Sequence, residues 1–485
     1  MNRILSTISI GFLVISCFGT QGTPLKNIKV SSNINEYDMV IIAPYIFSDE
    51  LQPLIDHKNE YGIRTVLKTT NIIDDEYDGR DEAEQIKYCI KDLIESNNVK
   101  YVLLMGDEQH IPVRYSYTNN GSTLRDADLF ISDLYYSDIY DENGSFCSWD
   151  FNSNNRFGET KYIEVPGDFW GGESVSLDLD KIDLIPDVHI GRLLCANRTE
   201  VTVVSNKIIK YETDENIDLW YNNIILIGGN TFPNFFTIFE KILMKKLSLE
   251  YNETQAWEGE YLCKEIEQLM NGYNFKKLYG SLLWNPRKLS MKEYYFPSVE
   301  NLNTIINKGA GFLFYSGHGC PTGFANYFPL IRNNNFVLPY PNGYWIPDIS
   351  NLNNSNKLPI AMLHGCSMGD YSNITGVSSP IAWELVKCNH GGTIACFANT
   401  NPSHPGVGTG ISKKYDGYLF YSLFNSFKNG VDTLGELHSS TINNYLDTVY
   451  FKCKEIEPAM LYNHYYHLEM FTLFGDPSLR IGGYL

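Results

Sequence analysis

Residues 309–319 read GAGFLFYSGHG and residues 358–366 read LPIAMLHGC. Each is a short apolar run that stops at a His-Gly pair. A run of that length, rich in aromatic and aliphatic side chains, suits a strand buried on both faces better than a helix. The runs NNIILIGG (222–229) and GGTIACFAN (391–399) have the same form, and helical patterns lie near 379–388 and from 412 to about 448. Buried strands alternating with helices predict a parallel sheet covered by helices. In such a sheet, sites form at the carboxyl edge, where strand ends deliver side chains beside helix N-termini. Both His-Gly pairs stand at that edge.

Upstream, DMVIIAP (38–44), GIRTVLK (62–68), KYVLLMGD (100–107) and DVHIGRLL (187–194) extend the same alternation. Ser48 is expected to cap a helix through Tyr61, its hydroxyl accepting an orphan N–H. Residues 81–96 place Ile86, Cys89, Ile90, Leu93 and Ile94 on one helical face, and a further helix is expected over 199–213. The polar, aromatic, Gly/Asn-rich stretch 114–180 interrupts the pattern and reads as a long functional loop. Together these predict an α/β unit of two subdomains, 36–217 and 218–485.

The N-terminus carries Arg3 and an apolar run from Ile8 to Ile15, too short to cross a hydrocarbon core of about 30 Å. It reads as a signal peptide over residues 1–20, followed by a linker over 21–35, and it predicts a secreted or cell-surface protein. Val14-Ile15-Ser16-Cys17 also has the form of a lipobox, which would make Cys17 a lipid anchor. No later stretch is long and apolar enough to be a transmembrane segment. Of the 485 residues, 43% are hydrophobic, enough to fill real cores. The 38 Lys+Arg against 57 Asp+Glu give a net charge of −19 without a basic block. Nucleic acid is thereby disfavoured as a partner. Ten cysteines without a CxxC pair exclude a disulfide scaffold, so cysteine chemistry must come from isolated positions.

A nucleophilic thiolate needs a proton acceptor, a donor for the leaving group and backbone N–H groups for the oxyanion. His318 and Cys366, on separate strand ends, suit that division of labour. A rival reading takes His318, Cys320, His364 and Cys366 as a Cys2His2 zinc set, although an i, i+2 pair at a strand end is an awkward chelate. A third takes the cysteines as small core hydrophobes, which fits Cys89, Cys195 and Cys396.

The segments YVLLMGDEQHIP (101–112), VHIGRLLCANRTEV (188–201), FLFYSGHG (312–319), LPIAMLHGCSMGD (358–370) and FTLFGDPSLRI (471–481), in this order, resemble the gingipain-type cysteine peptidases, family C25, of the caspase-like clan. The resemblance implies an endopeptidase acting on proteins or peptides through a thioester. It makes His318 the catalytic histidine and Cys366 the nucleophile, with the N–H groups of Gly319 and Cys366 as the oxyanion hole. The family usually has alanine before the nucleophile; Gly365 stands here, preceded by His364. The acidic residue that assists the histidine falls near Asn230, which can orient an imidazole but cannot balance its charge. The acidic residue of the arginine pocket falls near Phe236, so arginine specificity does not carry over; Phe236 equally suits an apolar helix face.

The resemblance also implies a structural calcium ion held by Asp107, Asp183 and Asp187, with carbonyls of Asp180 and Ile185. Hard oxygens suit Ca²⁺, while acidic residues in loops are more commonly just solvated. No cofactor is needed for the chemistry. Asp476 in FGDPSL reads as a buried turn supporting the sheet. Arg114, Arg192 and Asp370 read as near the cleft or as members of structural ion pairs. Aromatic residues of 257–297 and 320–347 are expected to wall the cleft or to pack in the core. The chain has about 15 residues between signal and first strand and ends at Leu485, which argues against a large propeptide or a sorting domain. A contrasting expectation, prompted by Asn230 and Phe236, is a silent surface protein that binds peptide or glycan on the same fold.

Overall fold

The eight apolar runs become strands of one ten-stranded sheet, which Asn274–Tyr279 and Phe471–Phe474 complete. The computed structural model describes residues 36–119, 128–165, 173–229, 258–283, 286–326, 343–404, 406, 408–452 and 461–484. The sheet order is Asn274–Tyr279, Asn223–Gly228, Phe312–Ser316, Ile360–His364, Ala395–Asn399, Phe471–Phe474, His189–Leu193, Tyr101–Met105, Met39–Ala43, Thr65–Thr69. All neighbours are parallel except Ala395–Asn399 with Phe471–Phe474. Every residue of Met39–Ala43, Phe312–Ser316, Ile360–His364 and Ala395–Asn399 is buried, as expected of strands covered on both faces.

The helix Glu82–Asn97 buries Ile86, Cys89, Ile90 and Leu93; Asp81 caps it by accepting from the Glu84 N–H at 2.9 Å, and left-handed Asn98 ends it. The helix Ser48–Glu60 departs from expectation. Ser48 already lies inside it, Phe47 occupies the cap position, and the Ser48 hydroxyl donates backward to the Tyr45 carbonyl at 2.8 Å. The remaining elements near the site are Arg198–Glu212, Ile381–Lys387, Tyr415–Lys428, Leu434–Tyr445 and Leu461–Glu469.

The stretch read as a long loop contains a second, four-stranded sheet, ordered Asp128–Ile131, Tyr115–Asn119, Phe157–Val165, Glu173–Asp178. Its buried positions include Ser116, Thr118, Glu159 and Thr160. Polar side chains at inward positions conceal the alternation by which a strand is recognised.

Phe471–Phe474 lies between Ala395–Asn399 and His189–Leu193, joining strands from both regions of the chain in one sheet. Just beyond it, Asp476 lies 2.7 Å from the buried Lys58 ammonium, which also reaches Glu212 at 2.9 Å. Asp476 also accepts from the Ser478 N–H at 2.9 Å, so the expected buried turn is present. Gly191 must lack a side chain: a Cβ there would stand 2.2 Å from the Gly475 carbonyl oxygen.

Candidate active site

Parallel register brings the two His-Gly strand ends together. Ser316 pairs with His364, so His318 and Cys366 each lie two residues beyond a matched pair at the carboxyl edge. Gly228 pairs with Ser316 on the other side. After Gly317, whose N–H donates to the His364 carbonyl at 3.1 Å, residues His318–Cys320 form a hairpin with Gly323–Ala325, which pairs in turn with Tyr344–Trp345. The buried Tyr315 hydroxyl lies 2.7 Å from the His318 carbonyl and 2.9 Å from that of Ala325, clamping both hairpin strands.

The backbones of the two ends touch. A Cβ on Gly319 would stand 2.7 Å from the Cys366 carbonyl oxygen and 2.6 Å from Met368 Cγ, while one on Gly365 would stand 2.6 Å from the Gly317 carbonyl oxygen. Two glycines therefore permit the approach. Cys366 sits at the corner where the strand turns, and Ser367 follows with φ of 51°, a left-handed conformation unusual for a residue with a side chain.

Both His318 and Cys366 are half-buried. The Cys366 thiol donates to the Ser403 carbonyl at 3.5 Å. Burial pushes this thiol above its ordinary range; the Ser403 backbone opposes that shift and the nearby Asp416 carboxylate reinforces it. A thiol so placed is neutral at rest and needs a base to become a nucleophile.

The other two members of the proposed zinc set are engaged elsewhere. His364 is buried, with Nδ1 2.8 Å from Ser316 Oγ and Nε2 3.2 Å from Asp416 Oδ2. Cys320 Sγ lies 3.5 Å from Thr322 Oγ1. Among the described residues, no three His, Cys, Asp or Glu side chains are gathered so as to hold a metal ion.

The calcium expectation does not fit one site. Asp107 follows the carboxyl end of Tyr101–Met105, and its carboxylate takes the Gln109 N–H at 3.1 Å and His110 Nδ1 at 2.6 Å. Asp183 and Asp187 precede the amino end of His189–Leu193, a strand parallel to the first with Tyr101 opposite His189. They therefore lie at the opposite edge of the sheet, on the order of 20 Å away. There Asp187 accepts from the N–H groups of Ile139 (2.7 Å) and Tyr140 (2.9 Å), Asp183 from that of Ile185 (2.8 Å), and Asp180 from that of Glu159 (2.7 Å). Burial, with Asp187, Asp141 and Glu142 nearby, raises the Asp183 carboxyl to about 6.

Arg114 and Arg192 make structural ion pairs, Arg114 with Asp81 at 2.8 Å and the fully buried Arg192 with Asp133 at 2.7 Å. Asp370 accepts from the Ser372 N–H at 2.9 Å. Of the expected cleft aromatics, Phe324 and Tyr344 are buried and stack with centroids 5.3 Å apart, packing under the His318 hairpin. Asn230, Phe236 and Cys17 lie outside the described residues. Two groups that face Cys366, Ser403 and Asp416, carry no motif by which the sequence could have singled them out.

A mostly parallel α/β sheet that ends adjacent strands in His-Gly and in a corner cysteine has the architecture of the caspase-like peptidases. The sequence model of peptidase family C25 matches residues 32–482, and the chain belongs to that family. Gingipain R2 of Porphyromonas gingivalis is 20% identical over 461 residues, covering 91% of this chain but only 46% of its own length. In fold, the chain is similar to the crystal structure of the Arg-specific cysteine proteinase gingipain R, with a TM-score of 0.57 and 19% identity over 93% of this chain and 79% of that one. It is likewise similar to the complex of the pro- and mature domains of the Porphyromonas gingivalis protein RgpB, with a TM-score of 0.56 and 18% identity over 92% and 79%.

Proposed function

We propose that this member of family C25 is a cysteine endopeptidase with Cys366 as nucleophile and His318 as its acid and base. The observation that carries the reading is the parallel register that matches Ser316 with His364 and brings Gly319 against the Cys366 backbone. In the proposed reaction the Cys366 proton passes to His318 as sulfur attacks the peptide carbonyl. The N–H groups of Gly319 and Cys366 receive the oxyanion. His318 then protonates the leaving amine, and a water molecule, deprotonated by the same imidazole, hydrolyses the thioester.

The neutral resting thiol favours proton transfer coupled to attack over a preformed thiolate–imidazolium pair. Arginine preference is not part of the proposal: it belongs to the relative so described, and the position expected to supply its acidic pocket is Phe236. The apolar run Ile8–Ile15 supports export. Among the described residues, no helix is long and apolar enough to cross a membrane. Mass spectrometry of the mature N-terminus would distinguish cleavage near residue 20 from lipidation at Cys17.

The test is a positional-scanning peptide library under reducing conditions, with wild type, Cys366→Ala and His318→Ala in parallel. Cleavage by the wild type alone supports the mechanism. Absence of cleavage by the wild type, with retained peptide binding, would favour the silent binding protein.

A further inference from the structure

Behind Cys366 lies a buried pair that the peptidase reading does not use. Asp416, at the start of the helix Tyr415–Lys428, is fully inaccessible, and its nearest charge partner is His364, two residues before the nucleophile, at 3.2 Å. That contact has ion-pair length without full hydrogen-bond alignment, and the Ser403 side chain also faces the carboxylate. A buried carboxylate held so incompletely is a poor source of stability, since desolvation offsets its attraction to a single partner. The usual reason for an ion pair in a core is therefore missing.

Its surroundings point toward the nucleophile. Asp416 is faced by His364 from the strand Ile360–His364, by His467 from the helix Leu461–Glu469 and by Ser403 from the connection after Ala395–Asn399. The Ser403 carbonyl accepts the Cys366 thiol, and Asp416 lies within electrostatic reach of that sulfur. Tyr315 faces Cys366 from the other strand. His467, buried against Tyr415, accepts the His404 N–H at 3.1 Å. The carboxylate is thus bracketed by residues that hold both the strand carrying the nucleophile and the carbonyl that receives its proton.

We propose that Asp416, held by His364, is a positioning residue that keeps the Cys366 nucleophile in its thiol form between turnovers. A fixed negative charge near a sulfur disfavours the thiolate, which suppresses oxidation and stray alkylation. Burial pushes the Asp416 carboxyl up, but the His364 imidazole outweighs burial and holds it below the usual carboxylate range, so the charge is present at neutral pH. This role rests on Cys366 being the nucleophile, yet it is measurable without any peptide substrate.

The test is the rate of Cys366 alkylation by iodoacetamide against pH, followed by mass spectrometry on the full chain, with Cys366→Ala as the blank for other thiols. Asp416→Asn keeps the shape and removes the charge. Its alkylation midpoint should fall by about one pH unit; because a less basic thiolate is also less nucleophilic, the rate at pH 7 should rise about threefold. His364→Gln removes the partner that keeps the buried carboxylate ionised, so the carboxyl should take up a proton and the midpoint should fall as in Asp416→Asn, with no further fall in the double variant. An Asp416→Asn or a His364→Gln midpoint that stays or rises overturns the proposal. If circular dichroism shows Asp416→Asn to be unfolded, the sign of the His364→Gln shift decides. Midpoints that move as expected in a protein that cleaves no peptide would keep the effect of Asp416 on the thiol and remove the peptidase reading.

Discussion

The chain writes His-Gly-Cys twice, at 318–320 and at 364–366, and the two copies do different things. Register is the cause. Ser316 pairs with His364, so the first tripeptide begins two residues past the matched position and the second begins on it. His318 consequently leaves the sheet on a half-buried hairpin, while His364 stays in the core against Ser316 and Asp416. For the cysteines the outcome is reversed: Cys366 stands at the strand corner and Cys320 is carried onward to Thr322. Identical residues acquire roles from their offset against the sheet edge, and a motif search treating the two copies as equivalent would pair the wrong groups.

The comparison breaks most sharply if the roles are exchanged. Cys366→Ala and His318→Ala should each lower kcat/KM for peptide hydrolysis by about four orders of magnitude or more, and a double variant should lose little beyond either single one, because the two act as a unit. Activity surviving in either variant would dissolve the assignment.

Next in size is Gly319→Ala. The added methyl would meet the Cys366 carbonyl oxygen at 2.7 Å, so the two strand ends must part. Kinetics should show a loss on the order of a hundredfold, chiefly in kcat. A denaturant titration should show destabilisation of about 1–3 kcal/mol from overpacking.

A third measurement concerns pH. The Cys366 thiol is raised by burial, so in the wild type its alkylation rate should keep climbing above about pH 8.5, where an ordinary exposed thiol levels off. In that range the folded state binds more protons than the unfolded one, so its contribution to stability declines as pH rises from the unfolded toward the folded value. A plateau near pH 7 would instead indicate a preformed thiolate. The smallest effect belongs to Cys320→Ser, which should change kcat/KM by no more than about twofold, since a half-buried thiol beside Thr322 has no part in the proposed chemistry.

Eight of the ten strands of the main sheet were legible because apolar runs mark them, and the carboxyl edge followed from parallel connectivity. Asn274–Tyr279, with Lys276 and Lys277 in its middle, and the four-residue Phe471–Phe474 were not legible as strands. The four-stranded sheet was not, because Ser116, Thr118, Glu159 and Thr160 occupy inward positions and erase the hydrophobic alternation. Cys366 and His318 could be read as ends of runs. Asp416 could not: its partner lies on a distant strand, and nothing in KKYDGYLF (413–420) distinguishes it from an aspartate at a helix start. The joining of Asp107 to Asp183 and Asp187 failed for a geometric reason, since one group follows a strand and the others precede its parallel neighbour.

The strand Phe471–Phe474 has a bearing on when the molecule can become active. All the other strands of the main sheet precede it in the sequence, yet it lies between the strand next to the one that leads into Cys366 and the strands of the first region. During synthesis the two sets of strands must wait, each with an unpaired inner edge, until this late segment emerges to close the gap. Such long-range closure is slow and cooperative. Assembly of the sheet around Cys366 is thereby tied to completion of the chain through residue 474, a delay written into topology.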